Sequence, residues 1–143
     1  MTEIIKYKDN ILAIVIRANF KSDGIKFFTP EDFSQQLGYM NRPKNYVIEP
    51  HLHNTVDRNV KLMKEVLYIK SGKVRVDFYD DKKNYVESRI LNQGDVILLA
   101  MGGHGFKMIE QTEIIEVKQG PYVEDEDKTR FESVDDEKVQ LKW

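Results

Sequence analysis

Short apolar or alternating segments, separated by turn-forming residues, recur along most of this chain. Residues 74–79 alternate apolar and polar side chains, as in a half-buried strand, whereas residues 96–101 are apolar throughout, as in a strand buried on both faces. Other β-like segments lie at 4–7, 11–16, 25–28, 46–49, 65–70, 85–91, 104–109 and 113–117. Turn signals at intervals of roughly 8–12 residues predict an all-β sandwich or barrel that opens with a hairpin.

One short helix is expected among the strands. Thr29 supplies a capping hydroxyl, and Pro30 suits the first helical turn because its missing N–H would be unpaired there anyway. Phe33 and Leu37 are four residues apart, which places them on one helical face. The sequence therefore predicts a helix near 29–37.

Size and charge narrow the class of protein. A chain of 143 residues fits one domain, so we expect a single domain over 1–143. The net charge of −2, from 22 basic and 24 acidic residues, offers no field that would gather a nucleic-acid backbone. No apolar run approaches the roughly 18 residues of a membrane helix, which favours a soluble protein without a membrane partner.

The two ends of the chain carry further expectations. The first residues lack the basic and apolar regions of a secretory signal, and the chain has no cysteine for disulfides or thiolate ligands, so we expect a cytoplasmic location. Acidic runs at 124–127 and 135–137 mark a change in composition. Residues 122–143 are predicted to be a solvated acidic segment pinned at points such as Phe131 or Trp143, or else a partner-binding arm.

The three histidines of the protein are candidates for one metal site. His51 and His53 would leave the same face of a strand that continues from 46–49, because side chains alternate with a period of two. A carboxylate from a neighbouring strand and an imidazole from across a barrel would complete the site; Glu65 and His104 are placed to supply them. Three imidazoles and a carboxylate without sulfur suit Fe(II), Mn(II), Ni(II) or Zn(II).

These residues resemble the two-part signature of the cupin superfamily, whose members are small jelly-roll β-barrels. The resemblance rests on His51-x-His53, on Glu65 and Gly72 with six residues between them, and on Gly94-Asp95 with Gly102 and His104 downstream. It covers roughly residues 46–117, which would form the barrel core of a cupin-like domain. The resemblance implies an all-β jelly-roll β-barrel and a metal ion held by His51, His53, Glu65 and His104.

The chain departs from the family pattern at two places. Glu65 stands twelve residues after His53, whereas the family glutamate follows the second histidine more closely, so residues 54–63 form an insertion. In the second motif a single residue separates Gly102 from His104, and Ala100 occupies the position of a family proline. A bulge at Gly102-Gly103 would turn His104 inward despite this spacing.

The cavity around this site is expected to be apolar. Residues with the inward parity of Glu65 and His104 are Leu67, Ile69, Phe106 and Met108, whereas Arg75 and Arg89 have the opposite parity and should lie outside. Near the predicted rim are Arg42, Lys44, Tyr46 and Asn54. They would orient a carboxylate, phosphate or sugar hydroxyl, or would be ordinary loop residues.

Two functions follow from this reading. The first is a metal-dependent enzyme of isomerase, dioxygenase or lyase type that acts on a small oxygenated metabolite, such as a sugar derivative, with Glu65 taking a proton. Some sugar-nucleotide cupins instead pair a histidine base with a tyrosine acid, for which Tyr46 and Tyr68 are the candidates. The alternative is a non-catalytic module that binds a metabolite or sugar. Many cupins form dimers, so a homodimer is expected; residues 11–16 would be its interface or part of the barrel wall.

Overall fold

The computed structural model describes residues 1–143, except for the side chains of residues 124 and 125. Its ten strands are β1 (Thr2–Tyr7), β2 (Asn10–Ile16), β3 (Gly24–Phe27), β4 (Gly38–Asn41), β5 (Glu65–Ser71), β6 (Lys73–Tyr79), β7 (Tyr85–Asn92), β8 (Val96–Leu99), β9 (Gly103–Met108) and β10 (Glu113–Lys118). Two 3-10 helices, at Glu124–Asp127 and Asp136–Lys138, follow the last strand. Neither they nor any other helix in the described part of the chain could span a membrane.

The chain divides into two compact units. Unit 1 contains residues 1–20 and 62–143, and unit 2 contains residues 21–61. Within unit 1, a five-stranded sheet has the order β1-β2-β8-β5-β10, and a three-stranded sheet has the order β7-β6-β9. Within unit 2, β3 and β4 form a two-stranded sheet. Every pairing between these strands is antiparallel, so the predicted all-β class and the opening hairpin of β1 and β2 are confirmed.

The expected closed barrel is not present among the described residues. The two sheets of unit 1 have no ladder in common, and each keeps two edge strands. The two sheets instead enclose one apolar core. Residues of β1, β2, β5 and β8 from the larger sheet, and of β6 and β7 from the smaller sheet, point into it. Its members are Ile5, Leu12, Ala13, Val15, Leu67, Ile69, Val74, Val76, Phe78, Leu91, Ile97 and Leu99.

β2 is an interior strand of the larger sheet. Residues 12–16 are buried, and β2 lies between β1 and β8. The segment that was one candidate for a dimer interface therefore belongs to the packed interior of unit 1. The homodimer itself stays a prediction.

The chain after residue 133 covers the outer face of the smaller sheet. The Ser88 N–H donates to the Gln140 carbonyl at 2.9 Å, and the Lys142 N–H donates to the Ser88 carbonyl at 3.1 Å. Beneath this segment Arg75 donates to both Asp77 carboxylate oxygens and to Asp136. Arg75 is thus directed away from the core as expected, but it is buried because the segment covers it.

The prediction of a solvated acidic segment pinned at a few points is only partly right. Phe131 packs edge-on against Tyr79 with ring centroids 5.0 Å apart, as expected of a pin. Trp143 is 89% exposed, so the prediction that it is a second pin is wrong. The acidic run at 124–127 begins with two side chains that lie outside the described residues.

The predicted helix near 29–37 is absent from unit 2. A turn closed by the Phe33 N–H and the Pro30 carbonyl occupies this position instead. The Gln36 side-chain amide donates to the carbonyls of Pro30, Glu31 and Phe33, and the Leu37 N–H donates to the Thr29 hydroxyl. The Gln36 and Thr29 side chains thus bond to backbone groups that a helix would need, and the turn replaces the helix.

The predicted strand over 46–53 is also absent. Asn45 has a left-handed φ of 69°, and the Tyr46 N–H bonds back to the Pro43 carbonyl in a turn. Pro50 cannot donate to a ladder, and no strand is assigned to residues 42–64. Within the predicted core of 46–117, the first strand is therefore β5, which begins at Glu65.

Candidate functional site

A pocket of about 880 Å³ opens between the two sheets of unit 1. Side chains of β5, β8 and β10 form one wall, and side chains of β9 form the opposite wall. Residues 127–131 and Ser133, from the C-terminal segment, line a further side. This volume is within the range of small-molecule sites, and the pocket is therefore the candidate functional site.

Strand register places Glu65 and His104 on opposite walls of this pocket. Glu65 lies between Leu99 of β8 and Lys118 of β10 in one row of the larger sheet. His104 is the register partner of Phe78, whose side chain is in the core, so His104 shares the inward face of the smaller sheet. The inward direction predicted for both residues is what the ladders produce.

Glu65 and His104 form the polar centre of the pocket. His104 Nε2 lies 3.3 Å from Glu65 Oε2, and the two side chains are 30% and 10% exposed. The hydrogen bond from His104 lowers the pKa of Glu65 below its ordinary value, with further lowering by the charges of His104, Lys118 and Lys128, while burial opposes the shift. Such a pair can present a carboxylate oxygen and an imidazole nitrogen to a ligand.

The Gly102-Gly103 pair has a structural use. Gly102 has a φ of +71°, and a Cβ there would lie 2.3 Å from the Tyr79 carbonyl oxygen. A Cβ on Gly103 would lie 2.8 Å from the Phe131 ring. The two glycines therefore allow the bend before His104 and the close approach of Phe131, which forms part of the pocket wall.

The rest of the lining agrees in part with the sequence. Leu67, Phe106 and Met108 line the pocket, whereas Ile69 lies in the core. Tyr79, Lys118 and the C-terminal segment also line the pocket, which was not predicted from the sequence. Lys118 was detectable from the alternation of β10, but nothing local to residues 127–133 indicates that they fold back over β9.

His51 and His53 lie in unit 2, on a segment that has no strand partner. Both are exposed, their ring centroids are 5.3 Å apart, and His51 Nδ1 lies 3.0 Å from the Glu49 carbonyl oxygen. Leu52 between them is 92% exposed. The other predicted catalytic residue, Tyr46, is also in unit 2, where its ring packs against the Arg42 guanidinium at 4.5 Å.

The four predicted metal ligands therefore fall two in each unit. In unit 1, Glu65 and His104 offer a carboxylate oxygen and an imidazole nitrogen, which are donor types that suit a divalent ion. Among the described residues, however, no three His, Asp or Glu side chains are grouped so that they could hold a metal. The pair alone is one ligand short of the three that catalytic zinc sites use.

A scan against protein-family models, a search of curated proteins and a search of solved structures each gave no significant match to this chain.

Proposed function

We propose that this protein is a cupin-like enzyme that acts on a small oxygenated metabolite, such as a sugar derivative, in the unit 1 pocket. The observation that carries the proposal is the Glu65–His104 pair, with 3.3 Å between Oε2 and Nε2, inside a cavity large enough for a metabolite. The facing antiparallel sheets and the inward direction of both residues agree with the cupin resemblance. The jelly-roll assignment is part of the same proposal.

The Glu65–His104 pair could carry out acid–base chemistry without a metal ion or cofactor. Leu67 and Phe106 give the cavity apolar walls, and a lower local dielectric strengthens interactions with a charged side chain. A substrate hydroxyl placed against the pair would give its proton to Glu65, and a substrate carbonyl oxygen would accept a proton from His104. Proton transfer of this kind belongs to isomerases and lyases, two of the reaction types expected from the sequence.

A metabolite screen with matched variants tests the catalytic proposal. Compounds that raise the melting temperature of the wild-type protein should lose this effect in Glu65→Gln and His104→Gln, because each change removes one member of the pair. His53→Gln, in unit 2, should keep the effect if the pair acts without a metal, and should lose it if the metal-dependent form of the enzyme is correct. NMR of each stabilising compound mixed with the protein then measures turnover. Stabilisation and turnover that persist in both pair variants would contradict the proposal.

The metal-dependent form of this enzyme, with His51, His53, Glu65 and His104 as ligands, stays a separate prediction. Elemental analysis of protein purified without chelators or nickel resin should find Fe, Mn, Ni or Zn close to one ion per chain. The metal should be lost in His51→Ala and His53→Ala. Protein without metal, and without affinity for any of the four added ions, would exclude the four-ligand site while leaving the acid–base pair in place.

A non-catalytic module that binds a metabolite is the second candidate. It is favoured because no three His, Asp or Glu side chains among the described residues are grouped so that they could hold a metal. The same NMR measurement separates the two candidates. A binding module holds its ligand in the pocket and leaves it chemically unchanged, whereas an enzyme converts it.

A further inference from the structure

Two lysines bring positive charge to the pocket beside the Glu65–His104 pair. Lys118 is the register partner of Glu65 across the β5–β10 ladder and lines the same wall. Lys128 lines the pocket from the C-terminal segment. Two elements far apart in sequence thus place an ammonium group at one cavity.

The two ammonium groups are weakly engaged: Lys118 has one long ion pair and lies over the Tyr122 ring at 5.9 Å, and Lys128 has no close partner among the described residues. Lys118 Nζ lies 3.5 Å from Glu116 Oε1, at the long end of ion-pair distances, and its side chain is 27% exposed. Lys128 forms no ion pair within the described part of the chain. Glu65, Glu116 and Asp127 bring negative charge to the same pocket, and Arg130 brings a further positive charge. An anion is therefore attracted near the cationic side chains and not over the whole cavity.

The other walls are apolar and accessible. Phe106 is 39% and Met108 is 50% exposed, and both line the cavity together with Leu67 and Ile114. Apolar side chains that face a cavity gain free energy when a ligand covers them, roughly 25 cal/mol for each Å² removed from water. A ligand that satisfies the whole pocket therefore has an apolar body as well as a charged group.

We propose that the pocket selects a small organic anion, in which a carboxylate or phosphate group binds Lys118 and Lys128 and an apolar body packs against Phe106 and Met108. This inference rests on the proposed function, because the oxygen that reaches the Glu65–His104 pair belongs to the same molecule. The anionic group and the reacting oxygen then occupy different parts of one cavity.

Three probes that share one aromatic ring test the inference: phenylacetate, phenyl phosphate and the neutral phenylacetamide. Binding is followed by the NMR signals of the His104 ring, which report any occupant of the pocket. At least one of the two anions should bind about tenfold more tightly than the amide, since a hydrogen bond to a charged group is worth about that factor or more. Comparing phenylacetate with phenyl phosphate distinguishes the two anionic groups.

Lysine variants assign the selectivity to the proposed residues. Lys118→Gln and Lys128→Gln should each weaken binding of the preferred anion by about tenfold and leave the amide unaffected. Lys82→Gln, in the exposed turn between β6 and β7, is the matched control. It should change the affinity for neither the preferred anion nor the amide.

The outcomes separate this inference from the proposed function. Equal binding of the anions and the amide would overturn the anion inference but keep a ligand-binding pocket. Tight anion binding that survives both lysine substitutions would also overturn it. If none of the probes shifts the His104 signals at millimolar concentration, the inference fails; the metabolite screen then decides separately whether the proposed function stands.

Discussion

The molecule has two histidine-bearing regions that differ in how the backbone holds them. In unit 1, His104 lies on β9, which is hydrogen-bonded to β6, and its partner Glu65 lies on β5 between two neighbouring strands. In unit 2, His51 and His53 lie in a segment for which no strand is assigned. Both regions contain residue types that bind metals or move protons. The difference teaches that strand register, rather than residue type alone, fixes where such side chains point.

Hydrogen exchange should show the largest difference between the two regions. No backbone hydrogen bond is donated by residues 47–61 among the described residues, whereas β6 is bonded on both sides. Amides of β6 should therefore exchange at least about 10⁴-fold more slowly than those of 47–61, once corrected for intrinsic rates. Mass spectrometry of deuterated fragments measures this ratio. Similar protection in both regions would remove the contrast.

Core truncation should give the next largest effect. Phe78 is the buried register partner of His104, and Phe78→Ala should lower the free energy of unfolding by about 3–5 kcal/mol. Leu52 is exposed between His51 and His53. Leu52→Ala should therefore change the free energy of unfolding by about 0.5 kcal/mol or less. Urea titrations of the two alanine variants provide the test. A large loss for Leu52→Ala would mean that the unit 2 segment is packed more firmly than its exposure implies.

The coupling energy within the Glu65–His104 pair should exceed that within the His51–His53 pair by a smaller amount. A double-mutant cycle of Glu65→Gln and His104→Ala should give a coupling energy of about 1 kcal/mol, because a buried carboxylate loses its hydrogen-bond donor. The matched cycle of His51→Ala and His53→Ala should give about 0 kcal/mol, since exposed neighbours contribute little. Equal couplings in the two cycles would contradict the distinction between strand-held and loop-held pairs.

Acid should reveal the smallest of these differences. The pKa of Glu65 is lowered by its bond to His104, so folding favours the charged carboxylate. The stability that it contributes is present above the unfolded-state pKa of about 4.3 and is lost as the pH falls through the lower folded value. The difference in unfolding free energy between the wild-type protein and Glu65→Gln should therefore shrink below about pH 4. A difference that stays constant from neutral to acidic pH would contradict this linkage.

The strands of unit 1 could be predicted because their side-chain pattern and their environment agree. Residues 74–79 alternate in sequence, and Val74, Val76 and Phe78 are all in the core. The uninterrupted apolar run that starts at Val96 becomes β8, where Ile97 and Leu98 are both fully buried although they point to opposite faces. A strand buried on one face has alternating apolar and polar residues, and a strand buried on both faces is apolar throughout, so both can be identified from the sequence.

Unit 2 could not be predicted in the same way, because local signals there compete with side-chain hydrogen bonds. Thr29 and Pro30 form a good helix start, yet Gln36 takes the carbonyls that the helix would have used. The candidate site was likewise half predictable. Its strand residues, Glu65 and His104, follow from parity, but Lys128 and Phe131 reach the pocket through a chain reversal that leaves no periodic signal.

The contact between β7 and the last residues of the chain also bears on self-association. β7 is an edge strand, and edge strands expose N–H and C=O groups that can recruit a strand from another molecule. At Ser88 both groups are already bonded, to Gln140 and Lys142, and Ser88 forms a parallel bridge with Leu141. The C-terminal segment thus occupies the outer backbone groups of β7 at Ser88, and a chain shortened before residue 139 would leave them open to pairing with a strand of another molecule.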